Sequence, residues 1–208
     1  MVVDQNFLKV SKFFISIFLF LVSINVSFAE NLIFKKIVDL NDPWGSTFIN
    51  NNELLITEKS GKIKLINLNS KKISEVNHNL NYLEHGQGGL LDILFKDSFV
   101  YISYSENRGS GKTSTSIAKA KFDEKKLNFG NIFQANPPIN SGYHFGSRLA
   151  IKDNFLFASA GERGKGMIAQ DPTKHPGSII RIYIDGSIPK DNPKFNGKSD
   201  WLPEIYQI

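Results

Sequence analysis

The segment SIIRIYIDGSIPKDNP, residues 178–193, combines a strand-like run with a closely specified turn. Its first part is rich in Ile and Tyr, which favour β-structure. The turn residues Asp185-Gly186-Ser187 follow, and Pro189 and Pro193 then hold the chain extended around Asp191-Asn192. The segment therefore predicts a β-strand that ends in a rigid turn.

Similar runs recur throughout residues 30–208, where helical periodicity is nearly absent. Each run alternates apolar and polar side chains or is apolar throughout, and Gly, Asn, Asp or Pro bounds most of them. The candidate strands are residues 32–38, 54–58, 62–68, 90–95, 99–104, 116–122, 155–160 and 178–184, with a further apparent strand at 204–208. This pattern predicts an all-β fold.

Three of the strand pairs form a loose internal repeat. When Thr57, Ser103 and Ser159 are aligned, the repeat steps are 46 and 56 residues. A period in this range, with one strand pair in each unit, is typical of the blades of a β-propeller. A β-sandwich with chance spacing is the alternative. The longer loop of the third unit is a candidate place for function, because loops often carry it.

Composition limits the classes of function. The 208 residues are 41% hydrophobic and 22% charged, as in a globular domain. There is no Cys, which excludes disulfides, thiolate metal sites and Cys nucleophiles. The net charge of +5 comes mainly from scattered Lys, which argues against nucleic-acid binding. The four His lack the spacing of a zinc site, and GSGKT at residues 109–113 lacks the first Gly of a P-loop.

The N-terminal residues have the pattern of a secretory signal peptide. Lys9 and Lys12 precede an apolar run at residues 13–22, and Ser27-Phe28-Ala29 offers small residues at a cleavage site. A single membrane anchor is the rival interpretation, but the apolar run is shorter than the ~20 residues that span a bilayer. We expect residues 1–29 to be removed near Ala29. The mature chain, residues 30–208, is then expected to be periplasmic or secreted, with no membrane span.

Four motifs follow one another over about half of the chain. They are GQGGLLD at residues 86–92, HFGSR at 144–148, GER at 161–163 with AQD at 169–171, and the segment 178–193. Gly-rich backbone allows a ligand to approach closely, and the near-neutral pKa of a free His suits a general base. Taken singly, each motif also fits an ordinary turn, a structural His or a surface ion pair.

In this order, and with PWG at residues 43–45, the motifs resemble the glucose/sorbosone dehydrogenase family, the soluble aldose sugar dehydrogenases. The resemblance implies a six-bladed β-propeller that uses pyrroloquinoline quinone (PQQ) and calcium. It extends over residues 32–208 but only over the first half of the family domain. We therefore expect residues 30–208 to form an incomplete, N-terminal part of about three blades. A short protein that borrows a partner is the alternative.

The resemblance also implies roles for individual residues. His144 corresponds to the general base that takes the hydroxyl proton while hydride passes from the sugar C1 carbon to the quinone, giving a lactone. Gln87 corresponds to a residue that hydrogen-bonds near the quinone. Arg163 is assigned to cofactor binding, because PQQ carries three carboxylates that attract cations. Soluble glucose dehydrogenases have an Asp directly before the His, and here Tyr143 replaces it.

Other motif residues are interpreted as structural. Asp92 is expected to cap a turn, and Arg148 is interpreted as a strand residue. Arg181 is expected to pack within a blade, and the DGSIPKDNP block, residues 185–193, to form a rigid turn between blades.

The family's calcium ligands and most of its PQQ-binding residues correspond to positions after Ile208. No metal ligand is therefore assigned, and the chain alone is expected to be inactive. An aldose and an electron acceptor are the expected partners. Two other functions remain open: a non-enzymatic propeller that binds ligands at the cell envelope, and a calcium-dependent propeller lactonase. The lactonase would need Asp, Glu and Asn ligands near the propeller axis, and the His-centred motif argues against it.

Overall fold

The computed structural model describes residues 32–194 and 200–208. Its contacts divide the chain into two units, residues 1–36 and 37–208. Of the first unit only residues 32–36 are described, and they form neither strand nor helix. The predicted signal peptide lies outside the described residues. No helix in the described part of the chain has the length and apolar character needed to cross a membrane.

The second unit consists of three sheets whose strands pair in antiparallel fashion, except for one parallel pair in the first sheet. The first sheet begins with β1 (Pro43–Asn50), β2 (Glu53–Glu58), β3 (Lys62–Asn67) and β4 (Ile73–His78). The second begins with β5 (Leu90–Lys96), β6 (Phe99–Asn107) and β7 (Thr113–Lys121). The chain then returns to the first sheet, where β8 (Lys126–Leu127) pairs in parallel with β4, before β9 (Gly130–Gln134) completes the second sheet. The third sheet contains β10 (Gly146–Lys152), β11 (Phe155–Ala160), β12 (Ile179–Tyr183) and β13 (Ile205–Gln207), with a 3₁₀ turn at Gly166–Gln170 between β11 and β12.

The sheets confirm the internal repeat, because Thr57, Ser103 and Ser159 all lie on the second strand of their sheet. The hydroxyl at this position ties strands together. Thr57 Oγ1 accepts a hydrogen bond from the Gly45 amide at 3.0 Å, in the first strand of the same sheet. It also donates to the Leu91 carbonyl, in the first strand of the next sheet.

Ser103 repeats this arrangement one sheet later. Its Oγ accepts from the Asp92 amide at 2.9 Å and donates to the Ser147 carbonyl of the third sheet at 2.6 Å. Ser159 makes the first of these contacts, accepting from the Arg148 amide at 3.1 Å. The repeated hydroxyl therefore fixes the first strand of each sheet relative to the second.

The apolar core lies between neighbouring sheets. On β6 alternate side chains point to opposite faces, as the period of a strand requires. Val100 and Ile102 join a buried cluster with the first sheet, whereas Tyr101 joins a second buried cluster with the third. The middle sheet is thus covered on both faces, which explains why its central strands carry long buried runs.

The predicted strands include one that is absent and omit five that the structure contains, namely β1, β4, β8, β9 and β10. The prediction at residues 32–38 is wrong, since the structure has no strand there and Leu32, Ile33 and Phe34 are exposed. In β1, which pairs with β2, Gly45 packs so closely on the second sheet that a Cβ would lie 2.8 Å from the Leu91 carbonyl oxygen.

The block at residues 185–193 has the structural role expected of it. The Arg181 guanidinium donates to both carboxylate oxygens of Asp191 at 3.1 Å and packs over the Phe155 ring at 3.9 Å. Asn192 is buried and its amide donates to the carbonyls of Arg181 and Pro203 at 2.9 and 2.8 Å. These contacts fasten the turn to the third sheet.

Candidate active site

Three loops that carry the sequence motifs meet at one end of the strands. They comprise residues 86–89, 141–147 and 161–164, and we call them the loop cluster. The Gln87 amide donates to the Gly142 carbonyl at 2.7 Å, and the His144 amide donates to Gln87 Oε1 at 2.8 Å. The Arg163 amide donates to the His144 carbonyl at 3.3 Å. The fold therefore brings Gln87, which precedes the second sheet, together with His144 and Arg163, which flank β10 and β11 of the third.

The backbone of the loop cluster adopts conformations that are unfavourable for most side chains. His144, Ser147 and Arg163 have φ values of +49°, +82° and +59°. Left-handed backbone outside Gly costs about 1–2 kcal/mol per residue, and such residues are often found at functional sites. The backbone of His144 packs closely against Gly161, where a Cβ would collide with the His144 carbonyl. This close packing keeps the strained backbone in its conformation.

The His144 imidazole is paired with a carboxylate. Its Nδ1 makes a short contact with Glu162 Oε1, while the side chain keeps 55% of its surface exposed. The hydrogen bond with His144 lowers the pKa of Glu162 below its ordinary value, so this carboxyl is ionised at neutral pH. Because an ionised carboxylate only accepts hydrogen bonds, Nδ1 carries the proton. Nε2 is left as the basic nitrogen of the ring.

Glu162 supplies the carboxylate that the residue directly before His144, Tyr143, cannot supply. The carboxylate that touches the imidazole belongs to Glu162, which lies 18 residues further along the chain. Tyr143 instead places its ring edge-on to the imidazole, with 6.3 Å between the ring centroids. The GER motif at residues 161–163 includes Glu162, but nothing in the sequence predicts its contact with His144.

Arg163 is a buried residue that holds the loop cluster together. Only 2% of its surface is exposed, and its guanidinium packs 3.6 Å above the Phe145 ring. It donates to the carbonyls of Tyr143 at 3.0 Å and Thr113 at 3.1 Å, to Thr113 Oγ1 at 2.7 Å, and to the Ser141 carbonyl. Burial lowers the pKa of Arg163 to about 10, which leaves it charged at neutral pH. Four of its five N–H donors therefore have protein acceptors, and direct contact with a cofactor stays a prediction.

Gln87 is positioned by its side-chain oxygen. Because Oε1 accepts from the His144 amide, the amide oxygen is fixed and the side-chain NH₂ group is the part that can donate to a ligand. The residue is exposed beside His144. Its role in cofactor binding also stays a prediction.

Below the loop cluster, a buried carboxylate links the first strands of the sheets. Asp92 Oδ2 accepts from the Leu149 amide at 2.8 Å, and Oδ1 accepts from Arg148 Nη1 at 2.9 Å. The Arg148 guanidinium in turn lies 5.0 Å from the centre of the Trp44 ring. Asp92 lies within β5 and joins two sheets, in addition to its local bond with the Ile93 amide, so the expectation that it caps a turn is wrong. Arg148 lies in a strand, as interpreted.

Metal ligands are not gathered at this site. Within residues 32–194 and 200–208, no group of three or more His, Cys, Asp and Glu side chains is arranged to hold a metal ion. The expected calcium ion therefore has no complete ligand set in the described part of the chain, and its presence stays a prediction.

Three sheets packed face to face, with their functional loops gathered at one end of the strands, are the architecture of part of a β-propeller. The sequence model of the family described as Glucose / Sorbosone dehydrogenase matches residues 40–208. The chain belongs to this family.

Individual relatives agree with this assignment. Aldose sugar dehydrogenase YliI of Escherichia coli (strain K12) is 31% identical over 164 residues, which is 74% of this chain and 44% of the relative. The crystal structure of the soluble aldose sugar dehydrogenase from Escherichia coli in the apo-form matches with a TM-score of 0.74 and 32% identity, over 80% of this chain and 50% of that one. The PQQ-bound aldose sugar dehydrogenase from Streptomyces coelicolor has the same fold, with a TM-score of 0.67 at 24% identity and the same coverage.

The chain spans about half the length of the relatives that it matches. Its three sheets are the incomplete set of blades that the sequence predicted for this part of the propeller.

Proposed function

We propose that the protein to which this chain belongs oxidises an aldose at the C1 hydroxyl, with PQQ as cofactor and His144 as the general base. The observation that carries the proposal is the pairing of His144 with Glu162 on strained backbone, inside the loops that hold the family motifs. The names of the family and of its relatives support an oxidoreductase that acts on sugars. PQQ is supported by the PQQ-bound relative.

In this proposal each residue of the pair has one task. His144 Nε2 faces the substrate and takes the proton of the C1 hydroxyl. Glu162 accepts from Nδ1, keeps the ring in the required tautomer and stabilises the imidazolium that forms. When bound, PQQ supplies a two-electron acceptor for the hydride that leaves C1, and the sugar product is a lactone. General base catalysis of this kind contributes about 10²- to 10⁴-fold to a rate.

The residues present fit one side of the cofactor. The Gln87 side-chain NH₂ is available to donate to a quinone oxygen beside His144. Gly86 has φ +59°, and a Cβ there would lie 2.5 Å from the Gly142 carbonyl oxygen, so the backbone is kept free of side chains at this point. The PQQ carboxylates need cations as well. Arg163 already bonds to protein acceptors, so we propose that other residues bind these carboxylates and the calcium ion.

We also propose a setting for the reaction outside the cytoplasm. A cleaved signal peptide at residues 1–29 would deliver the protein to the periplasm or outside the cell. We propose that electrons leave the protein there to a soluble or membrane-bound acceptor.

The test uses the full-length protein supplied with PQQ and calcium. We expect a change in the PQQ absorption spectrum on binding, and reduction of a dye with members of a panel of aldoses. His144→Asn keeps a side chain that tolerates left-handed backbone but removes the base. It should lower kcat by at least ~100-fold and leave the PQQ titration unchanged.

Two outcomes would contradict the proposal. Unchanged kcat in His144→Asn would remove His144 as the base. Wild-type protein that neither changes the PQQ spectrum nor reduces the dye would exclude the dehydrogenase, and would favour a non-enzymatic propeller that binds ligands at the envelope.

A further inference from the structure

Tyr143 presents an aromatic ring to solvent directly beside the proposed base. The residue is 62% exposed, and its ring stands at 64° to the His144 imidazole with 6.3 Å between the centroids. An aromatic ring buries a large apolar surface when a ligand covers it. Rings in this position are common in ligand sites, where apolar surfaces surround a few fixed polar groups.

The backbone of Tyr143 is held on both sides, although the ring is free. Its carbonyl accepts from Arg163 Nε at 3.0 Å, and its amide donates to Ser141 Oγ at 3.2 Å. Arg163 is itself buried and bonded to Thr113 of the second sheet. Because the Tyr143 backbone is held in place, less conformational entropy is lost when a ligand packs against the ring.

The exposed ring of Tyr143 offers a ligand an apolar face beside His144. A sugar ring presents such a face where its C–H bonds point to one side and no axial hydroxyl interrupts them. The 6.3 Å spacing allows one sugar to meet the Tyr143 ring while its C1 hydroxyl meets His144.

We infer that Tyr143 is a substrate-contacting residue that packs against the C–H face of a cyclic aldose. It selects aldopyranoses whose hydroxyls are equatorial over those with an axial hydroxyl on that face. This inference rests on the proposed function, since it assigns the substrate class of the same site.

The test compares variants of the full-length protein supplied with PQQ and calcium. Tyr143→Ala should raise KM for an all-equatorial aldose by about three- to tenfold and leave kcat within about twofold, because an aromatic contact contributes ~0.5–1.5 kcal/mol. The rise should be smaller for an epimer with an axial hydroxyl. Tyr143→Phe keeps the ring and should restore the wild-type KM. Phe48→Ala removes another exposed aromatic side chain, near the β1–β2 turn at the other end of the strands, and should change neither constant.

A second measurement does not depend on turnover. Saturation-transfer NMR on the protein without PQQ should show transfer to the sugar C–H protons, and Tyr143→Ala should reduce this transfer. If Tyr143→Ala lowers the unfolding temperature and leaves KM and the transfer unchanged, the ring packs against protein and the inference is overturned. If wild-type protein oxidises no aldose but loses sugar transfer in Tyr143→Ala, the proposed reaction fails while the contact stands.

Discussion

The loop cluster and the turn block at residues 185–193 are both marked by specific sequence motifs, but their interiors differ. In the turn block the polar side chains bond to one another or to the backbone, as Asp185 does with Ser187 and Asp191 with Arg181. In the loop cluster His144 lies on left-handed backbone and keeps more than half of its side chain in solvent. Both motifs therefore mark constrained backbone, but only the loop cluster combines left-handed backbone with a half-exposed ionisable side chain.

Each region is built around a buried arginine over an aromatic ring. Arg181 lies 3.9 Å from Phe155, and Arg163 lies 3.6 Å from Phe145. Arg181 bonds to side chains of the turn block, whereas two of the four acceptors of Arg163 are carbonyls of the loop that carries His144 and the other two belong to Thr113. The same device stabilises a rigid connection in one case and a strained functional loop in the other. Substitutions can separate these roles.

The largest effect is expected from Arg163→Met in the full-length protein. The change removes the donor to the carbonyls of Ser141 and Tyr143 and to Thr113 Oγ1, and it leaves the Thr113 carbonyl with the Ile139 amide alone. This loss should lower the free energy of unfolding by about 3 kcal/mol. Urea unfolding measures this loss. Lys165→Met changes an exposed neighbour and should remain within about 0.5 kcal/mol of wild type. Wild-type stability with a lost PQQ titration would instead make Arg163 a cofactor ligand, as the family resemblance implied.

The next largest effect is expected from a substitution at Glu162 that should lower kcat with little change in the free energy of unfolding. Glu162→Gln keeps the size of the side chain but removes the charge that fixes the His144 tautomer, so kcat should fall by about 10- to 100-fold. The free energy of unfolding should change by less than about 0.5 kcal/mol. Glu84→Gln, which alters an exposed ion pair with Lys59 at 3.9 Å, is the matched control. Equal kcat values in both variants would show that Glu162 does not orient the base.

In the turn block the same reasoning predicts the opposite outcome. Asn192→Ala leaves the carbonyls of Arg181 and Pro203 without a donor, and should lower the free energy of unfolding by about 1.5 kcal/mol. The proposed kcat should stay within about twofold, since the block lies outside the loop cluster. Lys190→Ala, an exposed change in the same block, should alter neither quantity. A fall in kcat beyond the loss of folded protein would connect the block to the site.

Much of the fold could be predicted because the apolar residues of the central strands identify them without information from neighbouring strands. The run at residues 99–104 is buried in the middle sheet and reads as a strand on its own. The strands β1 and β10 depend on neighbours, through contacts such as Ser103 Oγ with the Ser147 carbonyl. Residues 32–38 show the reverse error, since apolar side chains alone do not form a strand without a partner to pair with.

The candidate site was predictable in part, for a related physical reason. The motifs and the family resemblance indicated Gln87, His144 and Arg163, and the loops do meet. The contact of His144 with Glu162 depends on left-handed backbone at His144 and Arg163, which no local pattern encodes. The burial of Arg163 likewise depends on Thr113 in another sheet.

The smallest expected effect is on the pH dependence of stability, which tests the pairing of Glu162 with His144 without kinetic measurements. The pKa of Glu162 is lowered from its ordinary value of 4.5, mainly by the hydrogen bond with His144. The ionised carboxylate therefore stabilises the folded state above pH 4.5, and this contribution is lost as the pH falls through the lower folded-state pKa. Because the His144 side chain is more than half exposed, the pair contributes less than about 0.5 kcal/mol.

The measurement is the unfolding temperature of wild type and of Glu162→Gln in the full-length protein across acidic pH. Other carboxyls, such as Glu204, also have lowered pKa values, so only the difference between the two proteins reports on this pair. The difference should be largest above pH 4.5 and shrink at lower pH. Two curves that stay parallel throughout would mean that the carboxylate of Glu162 does not hold His144 in solution. The strained loop would then need another source for the orientation of its base.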